Sequence, residues 1–358
     1  MKLDDFFFDK NKKKLVDEIL SDAHITRYIL GRNECAKKLS ALVHIDAFVD
    51  DFTDETEYLG KPIIRSSDVN KDSIVVSCSL AIYPHSALTI LKETGIEKVI
   101  HFLDVVRYSK LVSLNIPFIS QARNDIEINH ALYEKLYESL SDEISKSTLL
   151  DLLNFRKNLD LSYLRSYKVD FVGQYFEDFL KLKDSEVFVD AGGFDGSTSI
   201  EFIKRCPNYK SVHIFEPSEV NIFKAKENLK KYQNIHFHLL GLYDRNDTLA
   251  FNSEAGSSSC VSEDGTDLIH VDKLDDVVVE AITFIKMDIE GGEAKAIKGM
   301  AQHILNDHPR LAISVYHKHD DLWKIPNQIL AIRSDYKLYI RHYTEGMDET
   351  VMFFMPKT

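Results

Sequence analysis

The stretch FIKMDIEGGE, residues 284–293, begins as the apolar run of a buried strand and ends in Asp288, Glu290, Gly291, Gly292 and Glu293. Carboxylates crowded at a strand tip repel one another and lose hydration, so they call for a positive group beside them. Two uses fit the spacing. A strand-to-helix turn would employ glycine for tight geometry and Glu293 at the helix N-terminus. A binding site would employ the acids to hold a cationic ligand. The spacing leaves both open.

Three further strand ends carry similar signals. VDAGGFDGSTS places Asp190 at a strand tip and Gly192, Gly193 and Gly196 in the turn after it, where bare backbone lets a ligand approach a helix start. HIFEPS ends the next strand in Glu216 and Pro217, and an acid in that register can accept both hydroxyls of a ribose. HFHLLGLYD supplies Gly241, Leu242 and Asp244, whose amides and carboxylate could frame an adenine ring. Gathered acids favour a cofactor bearing positive charge. A sulfonium sits well among carboxylates and the pyrophosphate of NAD is repelled, so the cluster points to S-adenosylmethionine.

The elements that would position these residues fall in two halves. In residues 25–123, ITRYILGRNECAKKLSAL reads as strand, turn at Gly31 and helix, followed by strands in HIDAFVDD, GKPII, DSIVVSCSL and KVIHFLD with a helix in PHSALTILKETGI. Alternating strands and helices predict a small parallel, doubly wound domain. Residues 1–24 read as an N-terminal helical segment. Within residues 124–182, HALYEKLYESLSDEISKSTLLDLLNFRKNL carries apolar positions at three- and four-residue intervals, which predicts that this stretch is a helical connector that could also serve as an oligomer contact. From residue 183 the strand–helix alternation resumes, interrupted by a hairpin-like insertion around TLAFNSEAGSSSCVSEDG, and YKLYIRHY with ETVMFFMP would pair antiparallel at the sheet edge.

Composition narrows the class. A chain of 358 residues with 44% hydrophobic and 11% aromatic residues can bury two cores. A formal net charge of -13 opposes binding to phosphate backbones, so nucleic acid is not an expected partner. MKLDDFFFDKNKKKLVDEIL has charges on both sides of its short Phe run, unlike a signal peptide, and no segment reads as membrane-spanning. Cys35, Cys78, Cys206 and Cys260 are too scattered for a disulfide framework or a metal knuckle, and a cytoplasmic protein is expected.

ILGRNECAKKL, DAFVDD, GKPII and IVVSCS resemble the small Rossmann-like domain that precedes some sugar-modifying enzymes. With one glycine in its first turn, that domain lacks a dinucleotide fingerprint, leaving open a structural or docking role or the binding of a sugar nucleotide. In the later half FVDAGGFDGSTS, IFEPSEVN, VDKLDD, IKMDIEGGE and RLAISVYH resemble, in order and spacing, the FkbM-type methyltransferases. The resemblance implies an α/β fold: a Rossmann-like class I methyltransferase sheet with a terminal antiparallel hairpin over 183–358, preceded by the smaller doubly wound domain and the helical connector. It also implies S-adenosylmethionine-dependent O-methylation of a hydroxyl on a small-molecule or glycan acceptor, such as a sugar in polysaccharide biosynthesis. Asp190 and Gly192 would hold the methionine part, Glu216 the ribose, Gly241 and Leu242 the adenine edge, and Asp288 would lie beside the methyl group. Phe194 departs from the wider class, where a third small residue is frequent.

A sugar hydroxyl is a weak nucleophile, and a base or a metal would help it. SVYHKHDD and YIRHYTEGMDET offer His317, His319, Asp320, Arg341, His342 and Glu349. His317 is the expected base and His342 its substitute. Mg²⁺ held by Asp288 and Glu290 is the alternative. A nicotinamide-dependent sugar oxidoreductase and a non-catalytic cofactor- or glycan-binding scaffold are the rival functions.

Overall fold

The computed structural model describes residues 1–21, 24–252, 260–261 and 267–357. The chain divides into two compact units, one of Met1–His130, Ser147–Val169 and Tyr343–Asp348, the other of Ala131–Lys146, Asp170–His342 and Glu349–Thr358. Compactness thus distributes the stretch 124–182 over both units, where the sequence suggests a single connector. Among the described residues no helix is long and apolar enough to cross a membrane. Cys35, Cys78 and Cys206 are free thiols.

The first unit is a doubly wound sheet. Its strands are β1 (Arg27–Leu30), β2 (Ala47–Val49), β3 (Glu57–Tyr58), β4 (Lys61–Ile64), β5 (Ile74–Ser77) and β6 (Lys98–His101), in the order β3-β4-β2-β1-β5-β6. All pairs are parallel except β3 with β4, and the two-residue β3 has no periodicity by which the sequence could announce it. After β1, Gly31 takes φ 103° and Asn33 caps helix Glu34–Ser40, its side chain accepting from Ala36 N at 3.1 Å and donating to Cys78 O at 2.8 Å. Helix Pro84–Glu93 opens with proline at its first turn and no side-chain cap of its own. Glu345 takes that place, accepting from Ser86 N at 2.7 Å and Ser86 Oγ at 2.6 Å. This helix start in the first unit is therefore already occupied by a carboxylate of the chain.

The second unit holds the larger sheet. Its strands are β7 (Val187–Ala191), β8 (Ser211–Phe215), β9 (Ile235–His238), β10 (Gly241–Leu242), β11 (Asp247–Asn252), β12 (Cys260–Val261), β13 (Asp267–Asp272), β14 (Phe284–Met287), β15 (Arg310–Ser314), β16 (Tyr336–His342) and β17 (Thr350–Pro356). Seven form the order β16-β17-β15-β14-β7-β8-β9. The five from β15 to β9 run parallel, and β17 enters antiparallel between β15 and β16. This is the expected doubly wound α/β sheet with a terminal antiparallel hairpin. One expectation needs correcting: Gly241 and Leu242 leave the main sheet and pair with β13 in a separate four-stranded sheet, β10-β13-β11-β12. Residues 253–259 and 262–266 of the expected insertion lie outside the described residues.

Every residue of β7 and β14 is buried, as central parallel strands require. Phe188 of β7 stacks on Phe202 at 4.2 Å and lies 5.1 Å from Phe284 of β14. Burying one such ring is worth about 2 kcal/mol, so this cluster fixes the two strands side by side. From β7 the chain winds out through β8 to β9, then returns to the opposite side of β7 as β14. That reversal opens a crevice above the carboxyl ends of β7 and β14.

Candidate active site

The crevice is a cleft of about 420 Å³, and the turn after β7 forms its floor. The acid at the end of β7, Asp190, leaves no unpaired charge at the strand tip. It is wholly buried and ion-paired, with Oδ1 3.1 Å from Lys286 Nζ, while Oδ2 accepts from Ser199 Oγ at 2.7 Å.

Lys286 is the positive group that the strand-end acids call for. It sits inside the apolar strand β14 and donates to Gly192 O at 2.6 Å, tying the turn after β7 to its neighbour. Burial opposes its charge, but Asp190, Asp288 and Glu216 outweigh burial and hold the ammonium above the usual lysine range. Gly192 is required by close approach: at φ 77°, a Cβ there would lie 1.8 Å from Asp288 O. Phe194 also takes a left-handed conformation, φ 46°, and lines the cleft where smaller residues are common in the wider class. Such backbone in a non-glycine residue is strained, and it recurs in the cleft at Glu290 (φ 53°) and Glu349 (φ 66°).

Glu216, at the end of β8, lines the same cleft. Its Oε2 accepts from Phe194 N at 3.0 Å and its Oε1 from Ser218 N at 2.9 Å, the Asn221 side chain also bonds the carboxylate, and acceptor capacity remains for a ligand hydroxyl. Burial pushes its carboxyl above the usual range. Gly193, Pro217, Gly241, Leu242 and Asp288 join it in the lining, so most of the expected cofactor residues converge. Asp190 lies behind the lining, Gly196 caps helix Ser197–Arg205, and Asp244 pairs with Lys295 at 3.1 Å, away from the lining.

The histidines depart from expectation. His317 does not line the cleft. Its side chain, 7% exposed, lies behind Asp288, with Nε2 3.3 Å from Asp288 Oδ1 and 3.4 Å from Glu290 Oε2, and Nδ1 3.0 Å from Glu293 Oε1. Burial would depress the imidazole, but Glu293, Asp288 and Glu290 overcome it and raise the ring to about 10. His317 thus bridges Asp288, Glu290 and Glu293 behind the cleft. His342 is buried at the sheet edge against Thr350 Oγ1, 2.9 Å away, and is not part of the lining. Asp288, Glu293 and His317 each place a ligand atom within 4.8 Å of the others. That set includes an imidazole and omits Glu290, unlike the all-oxygen site expected for Mg²⁺.

Residues without a mark in the sequence complete the site. Gln174 and Tyr175, from the stretch expected as connector, reach the cleft: Tyr175 donates to Asp288 Oδ2 at 2.7 Å, and Gln174 donates to Glu349. Tyr316 donates to Glu349 Oε1 at 3.3 Å. Phe171 lines the mouth while remaining 52% exposed. A lone charge in an apolar strand is a signal that could have found Lys286; Gln174 and Tyr175 carry no such signal.

Residues 190–341 match the Methyltransferase FkbM domain family. The crystal structure of Methyltransferase FkbM from Methylobacillus flagellatus KT is similar over 98% of this chain and 94% of that chain, with 28% identity and a TM-score of 0.76. An rRNA methylase from Streptococcus thermophilus overlaps 51% of this chain and 93% of its own, at 17% identity and a TM-score of 0.35. Aeropyrum pernix fibrillarin in complex with S-adenosyl-L-methionine overlaps 48% of this chain and 67% of its own, at 11% identity and a TM-score of 0.33. No curated protein matches the sequence. Residues 190–341 carry the match to a methyltransferase domain of the FkbM type.

Proposed function

We propose that the chain transfers a methyl group from S-adenosylmethionine to a hydroxyl of a sugar. The observation that carries this reading is the convergence of Glu216 and Asp288, from strand ends on opposite sides of β7, into one cleft. Glu216 would accept the ribose hydroxyls, Gly241 and Leu242 would border the adenine, and the turn at Gly192 and Gly193 would receive the methionine part. Asp288 would face the sulfonium and its methyl group, where a carboxylate stabilises positive charge.

In the reaction the acceptor oxygen forms a bond to the methyl carbon while the carbon–sulfur pair returns to sulfur, leaving a neutral thioether. The hydroxyl proton becomes strongly acidic as the new bond forms, so a carboxylate suffices to receive it. Asp288 would take that role, its direction supported by the hydrogen bond from Tyr175 and the nearby His317. Positioning and exclusion of water supply the remainder.

Mass spectrometry of glycans from cells with and without the gene tests the reading. Loss of the mass of one CH₂ from a sugar residue is expected; identical glycans in the two strains would oppose it. Nicotinamide chemistry is less well served, because Asp288, Glu290 and Glu216 would face the pyrophosphate.

A further inference from the structure

The hairpin of β16 and β17 closes on the pair of His342 with Thr350, and the chain between them, 343–349, is longer than the usual hairpin loop of about two to five residues. Most of it, Tyr343–Asp348, belongs to the first unit. There Glu345 N donates to Ile82 O at 3.0 Å and Met347 N to Leu80 O at 3.3 Å. Between them the buried Gly346 sits so close that a Cβ would meet Ala81 O at 2.1 Å and Leu80 O at 2.2 Å. The Glu345 carboxylate completes the dock by accepting from Ser86 N and Oγ at the start of helix Pro84–Glu93, where the helix dipole favours negative charge. Thr344 Oγ1 donates to Asp348 O at 2.7 Å and draws the two arms of the loop together.

The residue that follows this dock is Glu349, which takes φ 66° and lines the cleft of the second unit. A left-handed glutamate persists only where its surroundings hold it. The β17 ladder fixes the chain after Glu349, and the docked loop fixes it before. Tyr316 donates to Glu349 Oε1 at 3.3 Å and lies 3.5 Å from both carboxylate oxygens of Asp288, while Gln174 donates to the other oxygen of Glu349. A shift of Glu349 therefore disturbs the surroundings of Asp288. We infer that Glu345 is a positioning residue: by docking the loop 343–348 within the first unit it holds Glu349, and through Tyr316 the neighbourhood of Asp288, in place for methyl transfer. The inference rests on the proposed methyl transfer and gives the first unit a part in it, as the anchor of a segment that runs on into the cleft lining.

The experiment uses the full chain, S-adenosylmethionine carrying a trideuterated methyl group, and an extract of metabolites and glycans from cells lacking the gene as the source of acceptor. Label entering products is followed by mass spectrometry as an initial rate at saturating S-adenosylmethionine. Glu345→Ala should lower that rate at least about tenfold, with S-adenosylhomocysteine affinity within about threefold of the parent. Glu345→Gln, which keeps one oxygen to accept from Ser86, should lose less. Gly346→Ala lifts the same loop through a different contact and should reproduce the loss. In a Glu349→Gln background, Glu345→Ala should change the rate by less than about twofold, because the residue it acts through is already altered. A further loss of about tenfold in that background overturns the inference, and so does a parent-like rate in both Glu345→Ala and Gly346→Ala. Binding of S-adenosylhomocysteine to the parent protein, measured alongside, separates the two claims: if it fails, the methyltransferase reading fails; if it holds, only the anchoring role is at stake.

Discussion

The ammonium of Lys286 stands 3.1 Å from the carboxylate of Asp190, with both side chains almost wholly out of water. A charge pair this deep is held by its partners, because either member alone would be an uncompensated ion inside the sheet.

Removing one partner should therefore be worse than removing both. Lys286→Met is expected to cost about 3–5 kcal/mol in urea unfolding, and Lys286→Met with Asp190→Leu should recover most of that loss. A single-variant loss below about 1 kcal/mol would show the pair to be dispensable.

Gly192→Ala tests the contact between the turns after β7 and β14. A Cβ at 1.8 Å from Asp288 O, on backbone at φ 77°, forces the two turns apart. Loss of about 2 kcal/mol or more and weakened cofactor binding are expected, read by thermal unfolding and calorimetry. Parent-like values in both would mean that the turns do not meet as described.

The two doubly wound sheets are legible from alternating strand and helix patterns, and the terminal hairpin from YKLYIRHY and ETVMFFMP. Acids and glycines at strand ends mark much of the cleft because strand ends meet at a sheet reversal whatever the loops do. Gln174, Tyr175 and Phe171 stay hidden because a segment without regular structure carries no period, so nothing in sequence tells where it crosses the sheet. The state of His317 is hidden for another reason: its neighbours Asp288, Glu290 and Glu293 come from a different strand end, and their combined field is a property of the fold.

His101 sets an acid limit on the first unit. Its Nδ1 accepts from Leu103 N at 3.1 Å and its Nε2 donates to Ser79 O at 2.7 Å, an arrangement open only to the neutral ring. Burial drives it down to about 4. With the folded value below that of the unfolded chain, stability is fully present above about pH 6.5 and is lost as pH falls toward 4, by up to about 1.4 kcal/mol per pH unit. Urea midpoints measured between about pH 7 and about pH 4.5 should fall with this slope in the parent and with a shallower one in His101→Gln. Equal slopes would exclude His101 as the source.

Glu216→Gln probes the ribose contact. Affinity for S-adenosylhomocysteine should fall at least tenfold, and a 2′-deoxyribose analogue should show a smaller loss, because the hydroxyl that the carboxylate accepts is already missing. Equal losses for both ligands would move the ribose away from Glu216.

Calorimetric titration of the full chain with S-adenosylmethionine, S-adenosylhomocysteine and NAD⁺ addresses the acid-lined cleft itself. Both adenosyl ligands are expected to bind with about micromolar affinity, Asp288→Asn to weaken the sulfonium ligand more than the thioether, and NAD⁺ to give no heat. Binding of NAD⁺ in their place, or no binding by either adenosyl ligand, would contradict that expectation.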